Sequence, residues 1–468
     1  MVLPVTALTT RPASIREFAR IICAHIRGRG APNVGTLTDL LAIAYFASMR
    51  TDERRTVSCS IAVFGATRQP AAALPLQRTD RWAITSLDPP RTLTSGVLAQ
   101  LAQAVRPATA ALAARPVRGR WQAFGVIDQE HLVRDARHHE VGTRYRRAGC
   151  AQIEITGIGS LSAYCDSFLI GELQRETIVS RFHDVLHVGP CAELLREYAD
   201  EHEARVVAAL RGWRDRQPHR ADAPPIEVPE DFIRHCLAHA RERWLHALAR
   251  VLLGIRDLGH GGALLLTSNN SAVDLSIKHG FAYHRLDAAL VERGASYLMA
   301  TALDLFGPRD NDGNLRADVV RDRDDARRRH DDAVSAERGA TALVASLAGV
   351  DGLILAVRGL AVRGFGVEIL SRVDPAKVCM ASDEVGGSRL RVLDPREFGT
   401  RHRSMMRYCF GHAGALGFIV SHDGDVRSTT RVRDRLVVWP NVDLARDALS
   451  QFNVECVECS KLNPAFPG

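Results

Sequence analysis

Apolar residues in the first part of the chain recur at the spacing of a helix. In "TLTDLLAIAYFASM", residues 36–49, they fall on one helix face: Leu37, Leu40, Leu41, Ala44 and Tyr45. This spacing of three and four residues predicts a helix. Thr36 and Asp39 resemble the pair of capping residues at a helix start, where side-chain oxygens bond the free backbone N–H groups.

Strands are predicted where apolar residues alternate along the chain. Val57, Cys59, Ile61 and Val63 occupy every second position of "VSCSIAV", and this period of two is typical of a strand. "WQAFGVID" (121–128) and "QIEITGI" (152–158) are also predicted to be strands. Together these elements predict an N-terminal α/β domain over residues 1–170.

Two amphipathic stretches of mixed charge follow, "CAELLREYADEHEARVVAALRGW" (191–213) and "DFIRHCLAHARERWLHALARVLLGI" (231–255). Both patterns predict helices. Between them, "RQPHRADAPPIEVPED" contains four prolines and predicts a break in the helical structure. We therefore predict a helical linker region over residues 171–255. A fragment that begins near Pro229 is expected to fold.

Strand and helix patterns alternate from about residue 256 onward. "GGALLLTS" (261–268) predicts a buried strand, and "ASYLMATALDLFG" (295–307) predicts a helix. Further strands are predicted for "DGLILAV", "GFGVEIL", "LGFIVS", "VRSTTRV" and "LVVW". The chain is thus expected to be an α/β protein whose C-terminal domain, residues 256–442, has a mixed central sheet flanked by helices. Residues 443–468 form a C-terminal tail.

Composition agrees with a globular protein and gives little support to nucleic-acid binding. The 468 residues are 46% apolar and 25% charged, with a formal net charge of +7. Only three of the 61 basic residues are lysines, namely Lys278, Lys377 and Lys461. Such an arginine bias indicates genome composition, and acidic residues are interleaved almost everywhere, so there is no long basic block. Nucleic acid is therefore not an expected partner.

Targeting signals and metal motifs are not evident in the sequence. The N-terminal "MVLPVTALTTRPAS" lacks the features of a signal peptide, and the longest apolar run is too short to span a bilayer. Ten scattered cysteines indicate reduced thiols. We expect a cytoplasmic protein with no membrane partner. Neither Cys456 with Cys459 nor His235 with His239 completes a metal-binding motif.

"FGTRHRSMM" (398–406) places basic residues where a helix is predicted to begin. Thr400 is a natural N-cap. Arg401, His402 and Arg403 then occupy the first turn, where free N–H groups and a partial positive charge favour acidic side chains. A bound phosphate would satisfy the N–H groups and both guanidinium groups together. Without a ligand, the arginines would extend into water or pair with Asp394 and Glu397.

An upstream Asp-Gly pair favours the phosphate interpretation. Asp351 and Gly352 begin "DGLILAV", a predicted buried strand. A carboxylate there can hold Mg²⁺ or Mn²⁺, and glycine lets a ligand approach the backbone, although Asp-Gly is also an ordinary turn. A metal carboxylate and a phosphate clamp separated by about 50 residues are the parts of a nucleotidyl-transfer site.

These motifs resemble the diadenylate cyclase (DAC) domain, whose signatures are Asp-Gly-Ala and Gly-Thr-Arg-His-Arg. The resemblance rests on "DGL" (351–353) and "GTRHRS" (399–404), continues through "GALGFIVSHDGDVRSTTRV" (414–432), and covers roughly residues 256–440. It implies a DAC fold that condenses two ATP into cyclic di-AMP with Mg²⁺ or Mn²⁺. It also implies a homo-oligomer, at least a dimer of DAC domains, because two domains must face each other.

The resemblance implies specific roles for the motif residues. Asp351, Arg401, His402 and Arg403 would be catalytic, and Asp351 would hold the metal. The other positions that the resemblance assigns to ATP binding are Gly352, Leu353, Gly399, Thr400, Ser404 and Ser421.

This sequence departs from the family pattern at two places. Leu353 stands where the family has alanine, and His422 and Asp423 follow Ser421 where the family has an acidic pair. These departures leave an alternative function: a catalytically weakened DAC-fold module that binds a nucleotide as a sensor.

The N-terminal half resembles a sensor region that precedes some DAC domains. The resemblance rests on "GTLTDLLAIAYFASMRTDERRTVSCSIAVF" (35–64) and "WQAFGVID". "GTRYR" (142–146) repeats part of the basic motif, but it lacks an upstream Asp-Gly strand and carries tyrosine in place of histidine. We therefore interpret it as surface, and the N-terminal domain as regulatory.

Overall fold

A computed structural model of the chain describes residues 13–26, 32–52, 55–65, 84–105, 110–128, 151–165, 168–179, 182–216, 228–267, 273–375, 377–386, 390–422 and 424–444. The chain divides into two compact units, Met1–Arg181 and Phe182–Gly468. Both are mixtures of helices and sheet, which confirms the α/β fold class.

The N-terminal unit contains helices α1 (Ala13–His25), α2 (Val34–Ser48) and α3 (Ser95–Ala104). Its strands are β1 (Thr51–Asp52), β2 (Arg55–Thr56), β3 (Cys59–Val63), β4 (Ile84–Thr92), β5 (Ala110–Val117), β6 (Arg120–Asp128), β7 (Ala151–Gly157), β8 (Ser160–Cys165), β9 (Phe168–Gln174) and β10 (Thr177–Val179). The main sheet has the order β10-β9-β8-β7-β3-β5-β6-β4. It is mixed, because β3 pairs in parallel with β5 and antiparallel with β7.

Helix α2 begins two residues before the predicted capping residue. Asn33 is the N-cap, and its side-chain oxygen accepts a hydrogen bond from the backbone N–H of Thr36 at 2.9 Å. Thr36 therefore lies inside the first turn. The pattern identified the buried face of α2 correctly, since Leu37, Leu40 and Leu41 are buried in the apolar core.

The first unit extends beyond residue 170. β9 pairs with β8 and β10 pairs with β9, so the sheet continues to Val179. Ile170 and Leu173 belong to the same apolar cluster as Ile61 and Ile153. Pairing with the sheet, which the local pattern does not reveal, sets the boundary after Arg181.

The C-terminal unit contains helices α4 (Pro190–Arg216), α5 (Glu230–Asp257), α6 (Arg285–Phe306), α7 (Ala317–Ser346) and α8 (Thr400–Gly411). Its strands are β11 (Gly262–Thr267), β12 (Leu275–Tyr283), β13 (Leu353–Val357), β14 (Ala361–Ile369), β15 (Val378–Ala381), β16 (Leu390–Leu393), β17 (Leu416–Val420), β18 (Val426–Val432) and β19 (Arg435–Trp439). They form one mixed sheet in the order β12-β14-β13-β11-β17-β18-β19-β15-β16.

Helices cover both faces of this sheet. Leu264 and Leu266 of β11 join an apolar cluster with residues of α4, α5, α6 and α7. Ala263 and Leu265, which point to the opposite face, join a second cluster with Met405 and other residues of α8. Because each face is covered, β11 is buried along its whole length, as its uninterrupted apolar sequence predicts.

A buried ionic cluster joins three of the helices. Glu337 of α7 is fully buried and contacts Arg250 of α5 and Arg293 of α6, the latter at 2.6 Å. Two cations share one carboxylate, so removal of Glu337 would leave buried charge without compensation. The cluster therefore fixes the relative positions of α5, α6 and α7. Among the helices that the structure describes, none is long and apolar enough to cross a membrane.

The predicted linker helices are part of the core of the C-terminal unit. Cys191 and Leu195 of α4 belong to the cluster that contains Leu264 and Phe418 of the sheet. The Tyr198 hydroxyl donates a hydrogen bond to the Gly414 carbonyl at 2.7 Å. Amphipathicity predicted these helices but not their packing partner. The proline-rich segment lies mostly outside the described residues.

A fragment that begins at Phe182 should therefore unfold in one cooperative transition, whereas a fragment that begins at Pro229 should not. The shorter fragment lacks α4 and exposes the apolar residues that α4 covers. Circular dichroism during heating measures the unfolding transition of each fragment. An equally stable, cooperative transition in the shorter fragment would show that α4 is dispensable and restore the boundary expected near Pro229.

Candidate functional site

The first turn of α8 is basic and has no side-chain cap. The N-cap is Gly399, and its carbonyl accepts the N–H of Arg403 at 3.1 Å. Thr400, predicted as the cap, is the first helical residue, and its carbonyl accepts the Ser404 hydroxyl at 2.9 Å. The N–H groups of the first helical residues thus have no acceptor within the helix. No acidic side chain lies in this turn.

Two contacts along β18 determine the direction of α8. Near the helix start, an Nη of Arg427 lies 3.5 Å from Nε2 of His402. Near the helix end, Arg431 donates to the Phe410 carbonyl at 3.2 Å. Helix and strand therefore run in the same direction, and the first turn of α8 lies at the end of the sheet where β18 begins.

Strand register brings the other predicted site residues to the same end of the sheet. Val426 of β18 pairs with Val420 of β17, and Val420 pairs with Gly262 of β11. β11 is in turn parallel to β13, with Leu264 opposite Ile354. Ser421 follows β17, and Asp351 and Gly352 precede β13. Since neighbouring strands lie about 4.8 Å apart, β13 and β17 are separated by about 10 Å.

Gly352 is required by the fold as well as by the predicted ligand. Its φ is +121°, and a Cβ atom there would lie 2.5 Å from the carbonyl carbon of Gly366 in β14. The sequence suggested that Gly352 lets a nucleotide approach the backbone, but the backbone of Gly366 already approaches Gly352 closely. The neighbouring Asp351 is exposed, whereas the Leu353 side chain is buried in the apolar cluster beneath α8.

Lys278 of the edge strand β12 lies near Asp351. Its Nζ is 2.6 Å from a carboxylate oxygen of Glu368. This hydrogen bond raises the pKa of Lys278, and the charge of Asp351 acts in the same direction. One of the few lysines in this arginine-rich chain therefore pairs with a carboxylate of β14.

Ser421 begins a tight turn between β17 and β18. Its N–H donates to the Asp425 carbonyl at 2.8 Å, and its carbonyl accepts the Gly424 N–H at 3.0 Å. His422 is exposed, and Asp423 lies outside the described residues. The turn fixes the backbone of Ser421 beside the first turn of α8.

The sequence did not predict a role for Arg427. Its Nε donates to the Asp425 carboxylate at 2.6 Å, and its guanidinium carbon lies 5.5 Å from the centre of the Phe398 ring. The same ring is 5.6 Å from the His402 ring. Arg427 and Arg431 are four residues apart in a strand, so both side chains lie on the same face of the sheet. This spacing in the sequence could have indicated that Arg427 belongs to the site.

The arginines of the first turn are not neutralised by Asp394. That carboxylate binds Arg396, with a shortest distance of 2.7 Å, and this hydrogen bonding lowers the pKa of Asp394 to about 2. Arg401 is exposed. Nε of Arg403 is buried and has no hydrogen-bond partner among the described residues. A buried donor in this position favours an anionic ligand.

The donor set suits a metal that is shared with a phosphate ligand. Within the described ranges, no group of three or more His, Cys, Asp or Glu side chains is arranged to hold a metal. Asp351 offers an exposed carboxylate at this end of the sheet. Mg²⁺ is commonly held by one or two carboxylates, water and substrate phosphates, so Asp351 fits such a site. Cys456, Cys459 and the "GTRYR" stretch lie outside the described residues.

Comparisons with known proteins identify the N-terminal region. Residues 28–128 match the family model DACNV, described as a probable sensor domain, and this match confirms the predicted sensor-like region. A search of curated proteins finds no match. Among solved structures, a hypothetical membrane spanning protein from Bacillus cereus is 15% identical over 53% of this chain and 94% of its own, with a TM-score of 0.20.

Replacing Arg403 by lysine should weaken ATP binding by about tenfold or more, because lysine keeps the charge but loses the guanidinium donors. Isothermal titration with ATP measures the change. Arg396→Lys is the matched control, since that arginine is 87% exposed and pairs with Asp394 on the surface. Equal losses in the two variants would remove Arg403 from the binding site.

Proposed function

We propose that the C-terminal unit is a diadenylate cyclase domain, which condenses two ATP molecules into cyclic di-AMP and releases two pyrophosphates. One observation carries the proposal. The basic first turn of α8, which has no side-chain cap, lies at the same end of the sheet as Asp351 and Ser421. A triphosphate at that turn satisfies its free N–H groups and cations together.

Phosphate binding is assigned to the first turn of α8 and its neighbours. The N–H groups of the turn and the guanidinium groups of Arg401 and Arg403 would bind the phosphates, and Ser421 follows β17 at the same end of the sheet. Contacts of Arg427 with His402 and Phe398 hold the start of the helix. Fixed donors of this kind stabilise charge that develops on phosphate oxygens during transfer.

Asp351 has the position of a carboxylate that acts on the ribose. It is exposed at the end of β13, across β11 from Ser421. There it would orient the 3′-hydroxyl that attacks the α-phosphate of the opposite ATP, and it would accept the proton. Asp351 would also hold Mg²⁺ or Mn²⁺ together with phosphate oxygens, and the ion would neutralise phosphate charge.

The chemistry requires two copies of the unit. Each copy presents one ATP, and the 3′-hydroxyl of each attacks the α-phosphate held by the other. The active form is therefore at least a dimer in which two such sheet ends face each other. In this arrangement the rate depends on the relative placement of the two copies as well as on the residues in each site.

Nucleotide binding without turnover is the alternative, and it depends on the departures at Leu353 and His422. The Leu353 side chain is 6% exposed and packs with Met405 and Val367 between the sheet and α8. Its extra volume relative to alanine is thus accommodated by the protein core. This packing supports the cyclase over the binding module.

Asp351→Asn should lower cyclic di-AMP formation by two or more orders of magnitude, about 3 kcal/mol of barrier, while the protein stays folded. Asparagine keeps the size of the side chain but removes the negative charge. Product is measured by chromatography with ATP and Mn²⁺. Asp434→Asn is the control, because Asp434 is exposed in the turn at the opposite end of β18 and β19. Turnover by Asp351→Asn at the wild-type rate would exclude Asp351 from the mechanism.

The N-terminal unit is proposed to regulate this activity, and its match to the DACNV model supports a sensory role. The full chain and the fragment from Phe182 should therefore differ in product formed per C-terminal unit and in oligomeric mass. Product assays and light scattering on both proteins over a range of concentrations measure the difference. Identical rates and masses throughout would contradict a regulatory role under the conditions of the assay.

A further inference from the structure

The main sheet of the N-terminal unit has two faces that differ in chemistry. On the first face, Ile61 and Ile153 of the strands share an apolar cluster with Phe18 of α1, Leu41 of α2 and Leu98 of α3. Side chains alternate along a strand, so the residues next to these strand positions lie on the second face. The apolar cluster of the second face contains no residue of the helices that the structure describes. Packing of these helices therefore accounts for the first face and not for the second.

A row of polar side chains crosses the second face. Ser60 of β3 is opposite Glu154 of β7, and Glu154 is opposite Ser162 of β8. These three residues are buried. Ser162 is in turn opposite Glu172 of β9, and its hydroxyl donates to the Glu172 carboxylate at 3.2 Å. Burial of polar groups lowers stability unless they form hydrogen bonds, so apolar packing does not explain this row.

Gln152 of β7 lies beside the row and has an unused polar atom. It is 1% exposed, and its Oε1 accepts the Ser60 hydroxyl at 3.4 Å. The amide nitrogen, Nε2, is buried and has no hydrogen-bond partner among the described residues. Whichever way the amide group is turned, only one of its two polar atoms reaches Ser60. A buried amide in this position favours a polar ligand that bonds the other atom.

A second buried donor lies on the same face. Arg115 of β5 is two positions beyond Ala113, a member of the second-face cluster. Its Nε is buried and finds no hydrogen-bond partner within the described ranges, and its guanidinium carbon lies 4.8 Å from the centre of the Phe124 ring. Gln152 is opposite Ala62, which is opposite Ala113. The side chains between the two donors are therefore small.

We infer that the second face of this sheet is a binding site for a small, neutral polyhydroxyl compound of the sugar or cyclitol class. The row offers carboxylate acceptors beside the Arg115 donor, and a hydroxyl group can donate to the first and accept from the second. An anion would meet Glu154 and Glu172, whereas a cation would offer Arg115 no acceptor. The inference goes beyond the proposed function, because it concerns the unit that matches the DACNV model and needs no cyclase reaction.

Isothermal titration of the full chain with D-glucose, myo-inositol and trehalose tests the inference. At least one of them should bind. Gln152→Met should weaken that binding by about tenfold or more, because the ligand loses its bond to the amide. Glu154→Gln should also weaken it, since glutamine keeps the size of the side chain but removes the charge. Inorganic phosphate and spermidine are the charged probes, and any binding of them should be the same in Gln152→Met as in the wild type.

Thermal unfolding without ligand separates binding from a structural role. Gln152→Met removes a buried amide that is only partly hydrogen-bonded, so it should not lower the unfolding temperature. Gln103→Met is the control, since Gln103 is exposed on α3, which packs on the first face. If Gln152→Met fails to fold, Glu154→Gln decides by the same comparison.

Three results would overturn the inference. The first is that none of the three compounds binds at millimolar concentration, in which case a buried water molecule is the occupant that satisfies Gln152. The second is equal affinity in the wild type and in the folded variants of the face. The third is that Gln152→Met changes the binding of a charged probe but not that of a neutral one.

Binding is measured without catalysis, so the outcome is distinct from that of the cyclase proposal. A wild-type chain that binds one of the compounds through Gln152 but forms no cyclic di-AMP from ATP and Mn²⁺ would overturn the cyclase proposal alone. Formation of cyclic di-AMP by a chain that binds none of the compounds would overturn the polyhydroxyl site alone.

Discussion

Close packing of α8 on β17 is the constraint on which the candidate site depends. A Cβ atom on Gly417 would lie 2.5 Å from Met405 and 3.2 Å from the sulfur of Cys409. Glycine therefore lets the helix approach the sheet closely, and the buried methionines and Tyr408 of α8 fill the space around it. This packing fixes α8 on the sheet, so that its first turn lies at the same end of the sheet as the Ser421 turn. A larger residue at 417 would shift the helix and with it every basic residue of the turn.

The same helix start carries an electrostatic cost in the absence of a ligand. Cations occupy the end of α8 where the helix dipole is positive, and a buried guanidinium nitrogen of Arg403 lacks a described partner. Asp394, one of the two carboxylates that shortly precede the turn, is held by Arg396 instead. The turn is stabilised by contacts with β18, where Arg427 links His402 and Phe398 to Asp425. An anion bound there would recover the cost, and this is the physical basis of the proposed phosphate site.

Sequence patterns predicted many of the helices and strands, including β11, β13 and β17 of the C-terminal sheet. β11, β13 and β17 are short apolar runs, and burial on both faces requires such sequences. The predicted N-caps were wrong. Asn33 and Gly399, rather than Thr36 and Thr400, precede the first helical residues. Cap position depends on where the chain bends, and several nearby residues could serve equally well.

Features that depend on strand register were not predictable from one stretch of sequence. Gly366 and Gly352 are close only because β13 and β14 pair with a bulge, in which Leu353 is opposite Val367 and Leu355 is opposite Gly364. Nothing in the spacing of these residues along the chain indicates that they meet. For the same reason α4 was taken for a linker, since its partners are strands more than fifty residues away.

Helix α4, the first helix after the N-terminal unit, packs on the strand that contacts the start of α8. The chain leaves the first unit at Arg181 and enters α4 at Pro190. Near the start of α4, the Cys191 sulfur lies 3.7 Å from the hydroxyl of Ser428 in β18, the residue after Arg427. A displacement of α4 by the preceding unit would act on the strand that holds the start of α8. The proposed regulation would then require no ligand contact within the site, because α4 packs directly on β18.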